Sequence, residues 1–189
     1  GIQEGNGVPA DGDLWVSYSV NKEDMWISRI PVPVEINASA HADDDFSKNK
    51  SIAELTDWNI YSPVWAPVSL EDQWLKLQDK DPFDYAKVER KIPASKELKV
   101  SFDLKAGQNN KGTLQIEFLD ENGIACSRIE LTDDGIFRLK GGSRFANMMK
   151  YEAGKVYHVE AVLSTVDRNI QVYVDGKRVG LRMFYAPVA

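Results

Sequence analysis

The chain has 189 residues, a net charge of −6 and a pI near 5.0, with 43% hydrophobic and 28% charged residues. Those values suit one ordinary globular domain, or one domain with an appendage, and they argue against a nucleic-acid binder, because Lys and Arg are scattered among acids instead of forming a basic face. The lone Cys126 excludes an internal disulfide, two histidines and one cysteine make a structural zinc site improbable, and no run of about 18 apolar residues is present to cross a membrane.

Residues 1–12, with Gly1, Gly5, Gly7, Pro9 and Gly12, have loop composition. Leu14, Val16, Tyr18 and Val20 then alternate with Trp15, Ser17 and Ser19, the period of a strand. Asn21 to Asp24 form a polar turn, and Met25 to Ile30 return as the second strand of a β-hairpin. Pro31 and Pro33 have no amide to donate to a ladder, so pairing stops there. A hairpin alone is marginally stable in water, so this one needs partner strands. No segment has the layout of a signal peptide.

Residues 35–57 change character and read as a polar linker, with "SIAELTD" predicting a helical turn. Asp43, Asp44 and Asp45 are calcium ligands by type, since hard cations take several carboxylates. Adjacent residues rarely all face one ion, and the spacing is not that of an EF-hand loop. The run is therefore read as a solvated acidic loop, and no metal or other cofactor is assigned.

In "WNIYSPVWAPVSLEDQWLKL", residues 58–77, Pro63 and Pro67 exclude a long helix and a central strand. The prediction is irregular extended chain laying aromatics onto a sheet. Tyr85, Lys87 and Glu89 then alternate with Ala86, Val88 and Arg90. Strands follow at Leu98–Leu104, Leu114–Phe118, Ile124–Leu131 and Ile136–Leu139, separated by the turns "AGQNNKG", "DENG" and "TDDG". Residues 143–154 read as irregular. Val156–Leu163 and Ile170–Val174 are strands, Asp175-Gly176 is a hairpin turn, Val179 opens a return strand and "LRMFYAPV" reads as a last one. Short strands at near-regular spacing mean an all-β sandwich or barrel. The expected organisation is an N-terminal loop and hairpin over 1–34, a linker over 35–57 and a β-sandwich over 58–189.

Within "YEAGKVYHVEAVLSTVDRNIQVYVDGKRVG", residues 151–180, Gly154, Tyr157, His158, Val159, Tyr173, Val174, Asp175 and Gly176 form a pattern that resembles the concanavalin A-like, laminin-G-like superfamily. The resemblance covers about residues 85 to 189 and implies a jelly-roll sandwich of two antiparallel sheets, preceded here by the β-hairpin. The hairpin string, with Ser19, Asn21, Lys22, Glu23, Asp24, Trp26, Ser28, Arg29, Ile30, Pro31, Val32 and Pro33, resembles the last blade of bacterial BNR-repeat, sialidase-like propeller proteins, where the chain passes into a C-terminal sandwich module. That likeness implies the C-terminal part of a secreted, periplasmic or cell-surface glycoside hydrolase, with an adjacent catalytic propeller as partner. No S-x-D-x-G-x-x-W box is present, and Arg29 alone is no evidence of a sialidase-like site.

Glycoside hydrolysis usually needs two carboxylates at a set separation. Jelly-roll glucanases place theirs in an E-x-D-x-x-E string. The closest match, "EFLDE" at Glu117–Glu121, has the wrong spacing and runs into a turn. His158 and Glu160 share a strand face, but solvent exposure explains them as well as catalysis does. No nucleophile-elbow, phosphate-loop or dinucleotide motif appears, so no catalytic residue is assigned. Sugar binding needs aromatic platforms and a few orienting polar groups. By type, Trp58, Tyr61, Trp65, Trp74 and Tyr85 are the platform candidates, with Arg144 and Asn147 as polar contacts, although most of the tryptophans are expected in the core. The leading expectation is a non-catalytic carbohydrate-binding or structural accessory module. The alternatives are a sandwich that is itself a glycosidase or lyase, and a laminin-G-type protein-interaction domain.

Overall fold

The computed structural model describes residues 2–3, 13–20, 24–30, 42–120 and 122–184. Among these residues the fold is all-β, with two short 3-10 turns at Phe46–Lys48 and Ile52–Glu54. It divides into two compact units, Gly1–Pro93 and Ala94–Ala189.

In the first unit, β1 (Ile2–Gln3), β2 (Leu14–Val20) and β3 (Asp24–Ile30) form one antiparallel sheet in that order. The hairpin β2–β3 runs in register from Leu14 opposite Ile30 to Val20 opposite Asp24. Trp26 and Tyr18 are paired on one face, where the Tyr18 and Ser28 hydroxyls bond at 2.9 Å. Met25 and Ile27 alternate onto the other face. Trp15 and Trp26 are exposed, as are Met25 and Ile27. A three-stranded sheet has two faces to cover, and apolar side chains of both reach solvent here.

The same unit carries β4 (Trp58–Tyr61), β5 (Val68–Glu71), β6 (Trp74–Leu77) and β7 (Lys87–Arg90), paired as the ribbons β4–β7 and β5–β6. The predicted irregular stretch over 58–77 therefore holds three short strands. Pro63 and Pro67 delimit them without preventing them: β4 stops two residues before one and β5 starts immediately after the other. Asp72 and Gln73, with φ of 50° and 69°, make the two-residue β5–β6 turn without glycine. Arg90 ties the acidic segment to β7. Its guanidinium bonds the Asp44 carboxylate at 3.2 Å and the Asp57 carbonyl at 3.1 Å. Asp45 accepts the Ser47 amide at 3.0 Å and caps the first 3-10 turn.

The second unit is an eight-stranded sandwich. Its strands are β8 (Glu97–Lys105), β9 (Leu114–Leu119), β10 (Ala125–Leu131), β11 (Ile136–Gly141), β12 (Arg144–Lys150), β13 (Val156–Ser164), β14 (Asn169–Val174) and β15 (Lys177–Met183). One sheet has the order β12-β11-β10-β9 and the other β15-β14-β13-β8. Alternate residues of both sheets point into one core, where Ile129, Phe137, Leu139, Val159, Ala161, Ile170 and Val172 lose all their exposure. Burying each large aliphatic or aromatic side chain of this kind stabilises by about 1.5–3 kcal/mol. Phe137 joins the sheets, standing edge-on to Tyr157 at 5.9 Å and to Tyr151 at 5.7 Å.

Two segments differ from the sequence reading. Residues 144–150 form edge strand β12, where irregular chain is predicted, and residues 177–183 form one strand instead of two. Both carry a β-bulge. Pairing slips between Phe137 opposite Met149 and Arg138 opposite Asn147, leaving Met148 extra. It slips again between Val172 opposite Gly180 and Tyr173 opposite Arg178, leaving Val179 extra. A bulge breaks the period of two that reveals a strand in sequence.

Candidate functional site

The chain that links the two ribbons of the first unit carries several exposed aromatic side chains. Tyr61 ends β4 opposite Lys87 of β7. Two segments, 62–67 and 78–86, link the ribbons, and where they meet β5 and β6 they pair with each other and extend the β5–β6 ladder. The amide of Gln78 donates to the Pro67 carbonyl at 3.0 Å, and that of Lys80 to the Trp65 carbonyl at 2.9 Å. Ser62 Oγ accepts the Val68 amide at 2.8 Å and fixes the first segment. Aspartates fix the second. Asp79 accepts the Asp81 amide at 2.9 Å, Asp81 the Phe83 amide at 2.9 Å and Asp84 the Tyr85 amide at 2.8 Å. Such local side-chain bonds let Asp shape backbone outside helices and ladders.

On this frame Tyr61 is 47% exposed, Trp65 66%, Phe83 96% and Tyr85 58%. The Tyr61 and Tyr85 rings meet at 5.6 Å with planes inclined at 53°. The Tyr61 hydroxyl donates to Asp84 Oδ2 at 3.0 Å. That hydrogen bond, reinforced by partial desolvation and the carboxylate's charge, holds the Tyr61 hydroxyl above its usual pKa. Tyr61 is thus a neutral ring whose orientation is set by its acceptor. Exposed rings beside carboxylate acceptors suit a ligand with flat apolar faces and hydroxyl edges.

The other sequence candidates lie elsewhere. Trp58 is half-buried against Phe46, with ring centroids 5.9 Å apart, and its buried Nε1 has no hydrogen-bond partner among the described residues. Trp74 is half-buried at the start of β6, opposite Glu71. Arg144 is exposed on β12 and belongs to the second unit, outside the one that carries the aromatics. Asn147 accepts from Arg138 Nε at 3.2 Å. Phe83 and Asp84 were missed in the sequence, although "DPFDY" sets both beside Tyr85 and its proline and aspartates mark a turn.

Four other acids that the sequence reading considered or that flank His158 are engaged, and the thiol is buried. His158 Nδ1 lies 2.8 Å from Asp103 Oδ1, and Glu160 lies 2.7 Å from Lys99 Nζ. Glu117 accepts from Arg128 Nε at 2.7 Å. Asp120 accepts the Asn122 and Ile124 amides at 2.9 and 2.7 Å and closes its turn. Among the described residues, no three His, Cys, Asp or Glu side chains converge as a metal site would need. Burial pushes the Cys126 thiol up to about 11, so it stays protonated near neutrality.

Fold and side-chain exposure together define an all-β module that leaves several aromatic rings in solvent. Residues 58–189 match the family model described as "Sialidase-like, CBM domain", and the chain belongs to that family of sialidase-like carbohydrate-binding modules. A solved structure titled "Sialidase" is 91% identical to it with a TM-score of 0.84. That match covers 100% of this chain and 18% of the sialidase, so the chain spans under a fifth of its length. Comparison with curated proteins gives no match. Among the described residues no helix is long and apolar enough to cross a membrane.

Proposed function

We propose that this chain is the carbohydrate-binding accessory module of a sialidase-like glycoside hydrolase and that glycan lies on the surface made by Tyr61, Trp65, Phe83 and Tyr85. The observation that carries this reading is the exposure of four aromatic rings, Tyr61 at the end of β4 and Trp65, Phe83 and Tyr85 on the two linking segments, with Asp84 bonded to Tyr61 and to the Tyr85 amide. Large aromatics are mostly buried in soluble domains, so a group left in water usually marks a recognition surface. Membership of a family described by its CBM domain supports the same reading. The sandwich would be of the concanavalin A-like jelly-roll type. The larger protein would be secreted, periplasmic or surface-bound, with its chemistry in an adjacent propeller.

A structural role is the second reading, and the β1–β2–β3 sheet favours it. Trp26 and Tyr18 on one face, and Met25 and Ile27 on the other, leave apolar surface for the remainder of a longer polypeptide to cover. Affinity electrophoresis through glycan-containing gels separates the readings. Retention should fall about tenfold in Trp65→Ala or Tyr85→Ala, as a loss of roughly 1.4 kcal/mol of ring contact requires. Unchanged retention in both variants would refute the platform. No retention on any sialylated, plant or host glycan would leave the bracing role alone.

A further inference from the structure

The sandwich unit has an open concavity of about 540 Å³, lined by Met148, Met149, Lys155, Tyr157, Val174, Asp175, Lys177, Arg178 and Val179. It lies where edge strands β12 and β15 face each other across the mouth of the two sheets. Both bulges open onto it. Met148 is the extra residue of β12 and Val179 that of β15, so each edge re-aims an apolar side chain toward the same space. Bulges are frequent beside binding sites for this reason. Gly180 enlarges the effect. A Cβ there would come within 2.6 Å of Met148 Sδ and 3.0 Å of Leu139 Cδ2, so the glycine leaves room for the Met148 side chain against β15.

The floor is thus apolar, from Met148, Val174 and Val179, with the Tyr157 ring beneath Lys155, whose Nζ sits 4.8 Å from the ring centroid. The rim is cationic. Lys155, Lys177 and Arg178 are exposed, and none of them is ion-paired among the described residues. Asp175 is the one acid of the lining, and its Oδ1 is taken by the His158 amide at 3.0 Å. This excess of two positive charges stands out on a chain whose net charge is −6. Unpaired cations around an apolar floor attract an anion that also carries a hydrophobic face.

We infer that this concavity binds an acidic saccharide, with its carboxylate on Arg178, Lys177 and Lys155 and its ring on Met148, Val174 and Val179. The guanidinium of Arg178 supplies the fork that a carboxylate fits. The inference rests on the glycan-binding reading for its ligand class but uses none of the aromatic platform's residues.

The test is amide-resolved NMR titration of the 189-residue chain with 3′-sialyllactose and a glucuronate-terminated disaccharide, and with lactose as the neutral counterpart. Both acidic sugars should give saturable shifts at Met149, Lys155 and Lys177–Val179, and lactose should give none there. Affinity should fall about tenfold or more in Arg178→Ala and Lys155→Ala, and should weaken as salt is raised. These side chains are exposed and unpaired, so matching spectra elsewhere would report a retained fold. Equal shifts with lactose, or unchanged affinity in both variants, would overturn the inference. Trp65→Ala separates the two sites: it should weaken platform binding about tenfold and leave these shifts intact if both readings hold. Shifts at the concavity with no effect of Trp65→Ala on any glycan would overturn the platform alone.

Discussion

Gly141→Ala perturbs the closure of the sandwich at one point. Gly141 ends β11, and a Cβ built there would lie 2.6 Å from Arg182 Cβ and 3.3 Å from the Met183 carbonyl carbon, both on β15 of the opposite sheet. Carbon atoms in contact rest about 3.5–4.0 Å apart, so the methyl group overlaps by roughly 1 Å. The obstructing atoms are backbone or attached directly to it, so no side-chain rotation relieves the clash. β11 and β15 must separate, and the contacts around them are lost. Overpacking of this kind costs about 1–3 kcal/mol, and an unyielding neighbour puts the cost near 3. With a urea slope of about 2 kcal/mol per molar, the unfolding midpoint should drop by roughly 1–1.5 M. Gly107→Ala is the control. Nothing lies within 4 Å of a Cβ there and its φ is not left-handed, so its midpoint should match the parent's or rise slightly. Equal midpoints for Gly141→Ala and Gly107→Ala would refute the close approach of the two sheets.

Phe137→Ala removes the ring that joins Tyr151 and Tyr157, and should cost about 3–5 kcal/mol by chemical denaturation. Arg90→Ala frees Asp44 and Asp57 together, and limited proteolysis should then cut within residues 42–57 well before the parent is cut. Cys126 should react with a thiol reagent only on unfolding at pH 8, since burial raises its pKa from 9.0 to about 11. A raised folded pKa favours the neutral thiol in the native state. The resulting stability is complete below pH 9 and declines as pH rises through about 11, which pH-dependent denaturation will show. Asp84→Asn removes the charged acceptor of Tyr61, so an ultraviolet titration should find that hydroxyl ionising at lower pH than in the parent.

The two bulges mark where reading the sequence failed. Where alternation runs unbroken over a long strand, it locates that strand. Leu98, Val100, Phe102 and Leu104 face inward along β8, and Tyr157, Val159, Ala161 and Leu163 do so along β13, as their spacing requires. Asp175-Gly176 likewise marks the β14–β15 turn, with φ of 50° and 77°. "RFANMMK" hides β12 because Met148 is extra, and "SLEDQWLK" hides β5–β6 because Asp72 and Gln73 take left-handed backbone without glycine. The proposed aromatic surface was half legible. Tyr61, Trp65 and Tyr85 are candidates by residue type, but the same test selects Trp58 and Trp74, which are half-buried.

The sequence by itself determined the all-β class, the hairpin at the front and the inward-facing residues of the regular strands. Each follows from the period of the backbone, which is a local property. Tertiary structure decided which rings stay in water, which strands become edges and where Lys155, Lys177 and Arg178 meet. These depend on contacts between residues far apart in the chain, and no local pattern encodes such contacts.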